Sequence, residues 1–140
     1  MTWLVGNEVF DPTEEELRPF LGFVYIIRHK DSGRAYIGQK KFWFSKARKV
    51  KGKTKRIRVQ SDWRDYWGSN QTLQKEVEEL GPEAFRRDII SLCPTKGIMN
   101  YMELYHQMVN NVLIRPDEYY NDYIGGRINR KHLTPMIKSK

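Results

Sequence analysis

Phe23-Val24-Tyr25-Ile26-Ile27-Arg28, then Lys30-Asp31-Ser32-Gly33, then Arg34-Ala35-Tyr36-Ile37-Gly38 is the stretch that decides how this chain folds. The first run is apolar and β-branched, which suits a buried strand. The Lys-Asp-Ser-Gly tetrad has turn chemistry, and the third run reads as the returning strand of a hairpin. Side chains alternate across a strand, so Arg34, Tyr36 and Gly38 are expected on one face. The hairpin therefore sets two tyrosines, 25 and 36, on adjacent strands.

Working outward, residues 1–21 read as a lead-in, where Asp11, Pro12 and Thr13 followed by Glu14 to Glu16 look like a capped, acid-started short helix that ends near Pro19. On the other side, ten Lys or Arg fall within the nineteen residues from Lys40 to Arg58, with no Asp or Glu among them. The net charge of +8 thus comes from one segment, since the rest of the chain is slightly acidic. Gly52 and its basic neighbours predict a mobile loop or extended arm over residues 40–60. Its bland reading is a solvated loop without a ligand; its functional reading is a polyanion site, because each neutralised phosphate releases counterions. Lys46, Arg48, Lys49, Lys51, Lys53, Lys55, Arg56 and Arg58 are the candidate contacts.

Further along, Asn70 or Ser69 is positioned to cap a helix carrying Leu73, Val77 and Leu80, stopped by Gly81-Pro82. Asp88 to Cys93 reads as a third strand. A helix from about residue 98 to 113 carries Ile98, Met102, Tyr105, Val109 and Val112 as a predicted core stripe. Beside it, Met99, Glu103, His106 and Asn110 form a second stripe. Residues 129–140 read as a polar, basic tail. The expected architecture is α+β: a three-stranded antiparallel sheet flanked by helices.

Composition bounds the function. With 39% hydrophobic and 30% charged residues the chain is globular rather than disordered. One cysteine, Cys93, excludes an internal disulfide. No run approaches a bilayer span, and no signal core precedes the fold, so a cytoplasmic protein with no membrane partner is expected.

Taken together the motifs resemble the GIY-YIG nuclease family. The hairpin carries Phe23-Val24-Tyr25 and Tyr36-Ile37-Gly38; Gly81, Phe85 and Ile89 follow in LGPEAFRRDII. Next come Glu103-Leu104-Tyr105-His106, Tyr120-Asn121 and Gly125-Gly126, while Ser61 to Ser69 (SDWRDYWGS) is similar to phage-borne Seg-type homing endonucleases. The resemblance covers roughly residues 22–128, with residues 40–60 as a basic insertion. It departs from the family where Phe-Val-Tyr replaces Gly-Ile-Tyr, and where the usual arginine window holds Lys46 and Arg48 instead.

What the resemblance implies is Mg2+-dependent hydrolysis of double-stranded DNA, with Mn2+ as a substitute. Tyr25 would be the general base, Tyr36 its partner, Arg64 the phosphate clamp with Arg48 as runner-up, and Glu103 the metal ligand. Arg34 and Lys40 would lower the phenol pKa, Gly38 would leave room for phosphate, and Asn121 would orient the last segment. A free phenol titrates near ~10, so such help is required. His29 and His106 read as structural or surface groups. A non-catalytic nucleic-acid-binding module, an RNA-directed nuclease and a protein that binds acidic protein surfaces stay open beside this reading. A single site also leaves open a homodimer on DNA.

Overall fold

In the computed structural model, which describes residues 2–125, 128–130 and 137, the hairpin forms as expected and becomes the centre of the sheet. Strand β3 (Gly22–His29) pairs antiparallel with β4 (Ala35–Lys41), placing Tyr25 opposite Gly38 and Ile27 opposite Tyr36. On its other side β3 pairs antiparallel with β7 (Phe85–Cys93). A strand paired on both edges and covered on both faces reads as a continuous apolar run, which is why its residues do not alternate with polar ones. Ile90 is the extra residue of a bulge in β7, set against the Val24–Tyr25 step.

The sheet has five strands, not three. β1 (Trp3–Val5) runs parallel to β7 and β2 (Glu8–Val9) turns back on it, giving the order β2-β1-β7-β3-β4. The lead-in is therefore part of the sheet. Its turn, Gly6-Asn7, has φ of 56° and 77°, the paired left-handed geometry that suits a tight hairpin. The expected capped helix is present as α1 (Glu14–Leu17), where Thr13 and Glu16 bond reciprocally and Leu17 enters the core.

Of the two forms expected for the basic segment, the structure shows the extended arm and not the loop. β5 (Trp43–Val50) and β6 (Lys53–Gln60) form a separate two-stranded ribbon, closed by Lys51-Gly52 at φ 53° and 76°. Lys or Arg on both faces conceals the period-two signal that would have announced it.

Helix α2 (Gln71–Leu80) is capped by the Asn70 side chain and ends at Gly81, with Leu73 and Val77 buried. Helix α3 (Lys96–Val109) keeps only part of its expected face: Met102 packs against the core, and Val112, just beyond the helix, is buried in it. Ile98, Tyr105 and Val109 are exposed at 44%, 49% and 59%, whereas Met99 and Gln107 are buried. The stripe of Met99, Glu103, His106 and Asn110 is the better guide to the inward side. Polar anchors decide the orientation: Gln107 donates to the Ile37 carbonyl at 3.0 Å, and Gln39 donates to Glu103 at 2.9 Å. Apolar periodicity alone does not record such bonds.

Two cores result. Phe23, Tyr25, Ile27 and Tyr36 pack with Trp3, Phe42, Trp63 and Leu73 on one face of the sheet. Val24, Ala35, Ile37, Met99 and Leu113 pack on the other. The short pair β8 (Tyr123–Ile124) and β9 (Ile128–Asn129) follows. Gly126 and most of the predicted 129–140 tail lie outside the described residues. Among the described residues, no helix is long and apolar enough to cross a membrane.

Candidate active site

Strand alternation places both phenols on one face, with ring centroids 6.2 Å apart. Gly38 makes this approach possible. A Cβ there would lie 2.5 Å from Tyr25 Oη and 2.8 Å from the Tyr36 ring. Gly68, at φ 83°, does the same from above, where a Cβ would stand 3.3 Å from Tyr25 Oη. The segment from Tyr66 to Ser69 thus lies directly on the phenols. Ser69 Oγ and Tyr36 Oη share a hydrogen bond at 3.0 Å, and the Tyr66 ring stands edge-on to Tyr25 at 6.0 Å.

That segment is held by Arg87, a buried guanidinium on β7. It sits between the rings of Trp3 (4.5 Å) and Trp67 (4.3 Å) and donates to the carbonyls of Arg64 and Tyr66. Burial lowers its pKa to about 10, so it remains charged at neutral pH. Asn121 braces the other side. Its amide accepts from the Ile37 N–H at 3.1 Å and donates to the Ile37 carbonyl at 2.8 Å, which fixes the edge strand between Tyr36 and Gly38. The chain also bridges Ala35 to Tyr119 along this edge, so the exposed side of β4 is covered.

Glu103 projects from α3 onto β4. Gln39 donates to it and to Asn100, each at 2.9 Å. Burial raises the carboxyl pKa, partly offset by the Gln39 bond. The Glu103 charge is felt by both phenols. Tyr25 is pushed well above the usual phenol range, chiefly by burial and then by Tyr36, Tyr66 and Glu103. Tyr36 is pushed up to about 12, again chiefly by burial, although the Ser69 bond pulls the other way. Both phenols are therefore neutral hydrogen-bonding groups at neutral pH.

The expected help from Arg34 and Lys40 is not delivered. The Arg34 guanidinium stacks on Tyr120 at 4.4 Å and donates to the Pro116 carbonyl. Lys40 pairs with Asp62 at 2.6 Å and lies 4.2 Å from the centre of the Tyr66 ring, one ring removed from Tyr25. Nor does Arg64 converge on the phenols. It bonds to Asp11 at 2.8 Å and the Pro12 carbonyl at 3.0 Å, and its guanidinium lies over Trp63. Arg48 lies on the ribbon, opposite Lys55. His29 Nδ1 is engaged by Ser32 in the hairpin turn, and burial lowers the pKa of His106.

The structure therefore brings together Tyr25, Tyr36 and Gly38 on one face of the sheet; Glu103 is bonded to Gln39, whose side chain alternates to the other face, and acts on the phenols through its charge. Sequence reasoning missed Gln39, Tyr66, Ser69 and Arg87. Alternation places Gln39 on the face opposite Tyr36, and nothing local ties Arg87 to the 66–69 segment.

Tyr36 and Ser69 open onto a cavity of about 300 Å³ that also includes the first turn of α2, Asp122 and Tyr123. Unsatisfied N–H groups at a helix start favour anionic groups there. Among the described residues, no cluster of three or more His, Cys, Asp or Glu side chains could hold a metal ion. A desolvated carboxylate with one side-chain donor still suits Mg2+, which keeps several of its waters and takes few protein ligands.

Residues 3–124 match the model of a protein family described as "Putative endonuclease segE, GIY-YIG domain". No curated protein and no solved structure matches the chain.

Proposed function

The chain belongs to the segE-type GIY-YIG endonuclease family, and from that premise we propose that it hydrolyses phosphodiester bonds of double-stranded DNA at a site built on Tyr25, Tyr36 and Glu103. The observation that supports this reading is the pairing of two phenols from adjacent strands, near enough to a desolvated carboxylate from α3 to feel its charge. Within the family the reading is of the phage homing or Seg type.

Glu103 would hold one Mg2+ or Mn2+. When bound, that cation supplies Lewis acidity for the phosphoryl and leaving oxygens, and sets positive charge where Glu103 alone sets negative. Tyr36 Oη donates to a nonbridging oxygen or to the attacking water at the cavity. To take the water's proton in the role of general base, Tyr25 Oη would first have to give up its own to solvent, an ionisation that burial opposes and the charge of the bound cation would favour. Lys40, which lies over the Tyr66 ring, would serve as phosphate clamp on leaving Asp62. Arg64 could serve only by leaving Asp11, an exposed pair worth little to stability.

Tyr25 is 1% exposed, with Gly68 covering its hydroxyl, so its role as base requires the 66–69 segment to lift when DNA binds. A second assignment has Tyr36, which already lines the cavity, as the base and Tyr25 as the group that positions it. One site cuts one strand. A double-strand break therefore takes two successive nicks or two copies of the chain.

Incubating supercoiled plasmid with the protein tests the reading. We expect nicked or linear product with Mg2+ or Mn2+, none with EDTA, and none from matched RNA. Intact plasmid at every metal concentration would leave a non-catalytic DNA-binding module. Faster cleavage of RNA would redirect the activity to that substrate.

A further inference from the structure

Beyond Trp43, every residue of β5 is exposed, and β5 and β6 pack chiefly on one another. A ribbon that buries so little for the body needs another reason to be long and highly charged. Its root is firm. Phe42 and Trp43 are buried, Trp43 Nε1 donates to the Phe20 carbonyl at 2.8 Å, and Ser61 bonds back to Phe42 and Lys41. The root is continuous with β4 on one side and with the 61–69 segment on the other. Both carry the residues that surround the phenols.

The register gives the ribbon two unlike faces. One presents Phe44, Lys46, Arg48, Val50, Lys53, Lys55, Ile57 and Val59. The other sets Ser45 opposite Arg58, Ala47 opposite Arg56, and Lys49 opposite Thr54. This second face pairs small side chains on one strand with long donors on the other. Small residues allow close approach to base edges, Arg matches guanine, and Ser, Thr and Ala suit mixed edges and the thymine methyl. Arg58 is stacked on Trp43 at 4.8 Å near the root, which leaves Arg56 as the outer reader.

Dimensions agree. Two strands about 4.8 Å apart, with side chains, fit a major groove about 12 Å wide. Eight residues span roughly 27 Å, or about eight base pairs.

We propose that the β5–β6 ribbon enters the major groove of duplex DNA and selects sequence through its Ser45–Ala47–Thr54–Arg56 face, within about one helical turn of the cut. Lys46, Arg48, Lys53 and Lys55, on the outward face, then add positive charge between the two phosphate backbones that flank the groove, which their long side chains reach by bending back over the ribbon edges. The inference rests on DNA being the substrate, and it adds specificity to what would otherwise be a charge clamp.

The test selects bound duplexes from a library of randomised sequence, in EDTA, so that no cleavage contributes. The wild-type chain should enrich a preferred sequence of several base pairs. Arg56→Ala should lose about tenfold or more of the discrimination at one base pair while keeping the rest. Lys46→Ala should weaken all sequences alike and lower the salt slope by about one. Absence of wild-type enrichment would overturn the proposal. So would an equal loss on every sequence in Arg56→Ala, or equal retention of duplex RNA, whose deep and narrow major groove excludes a ribbon. Enrichment without plasmid cleavage would sink the nuclease reading and leave this one standing; cleavage without enrichment would do the reverse.

Discussion

Glu103→Gln should reduce plasmid cleavage by on the order of a thousandfold, in a protein that folds and is no less stable than wild type at neutral pH. The amide keeps the shape and can still meet Gln39, but it has no charge to hold a metal ion. The stability result follows from the raised carboxyl pKa. A carboxyl that titrates higher in the folded than in the unfolded chain binds its proton more tightly when folded. Its contribution to stability is present at low pH and is lost as pH rises through the folded pKa. At neutral pH the ionised Glu103 therefore strains the fold, and an amide relieves it. Thermal melts should show the variant equal or higher at pH 7, with the difference vanishing below the ordinary carboxylate range. A large fall in melting temperature at pH 7 would mean that Glu103 is a structural group.

Gly38→Ala should cost about 2–3 kcal/mol and remove cleavage. The added methyl would stand 2.5 Å from Tyr25 Oη and 2.8 Å from the Tyr36 ring, so one phenol must move. Tyr25 is packed against Trp3 and Phe23 and has no free volume to move into. Gly33→Ala is the contrast. Gly33 has φ of 76° in the hairpin turn and nothing within 4 Å of a Cβ, so only backbone strain of about 1 kcal/mol applies. Denaturant midpoints and initial cleavage rates of the two variants should separate clearly. Equal losses would show that Gly38 serves the turn geometry of the strand rather than the phenols.

What could be read from the sequence was local. The β3–β4 hairpin has a strong turn signal between two apolar runs, so Tyr25, Tyr36 and Gly38 fell into place. Asn70 and Gly81 marked the ends of α2 for the same reason. Elsewhere non-local contacts decide. The three residues Trp3–Val5 become a strand only because β7 offers a parallel edge some eighty residues later. α3 turns Ile98, Tyr105 and Val109 of its predicted stripe outward, while Met102 stays against the core, because Gln107 and Glu103 find partners on β4, and no periodicity along the helix encodes them. Arg64 sits in the segment that resembles the family, yet Asp11 and Pro12 hold its side chain from the amino-terminal side. The spacing of charges along a chain does not reveal which way a long, flexible side chain turns.

The central claim is that a strand phenol and a helix carboxylate act on the same phosphate. Single-turnover cleavage by Tyr36→Phe, Glu103→Gln and the double variant tests it most directly. Groups that work as one unit lose their joint contribution when either is removed. The double variant should then be no slower than the worse of the two singles. Losses that multiply in the double variant, or a single variant that cuts at the wild-type rate, would place the two groups in separate roles and contradict the site described above.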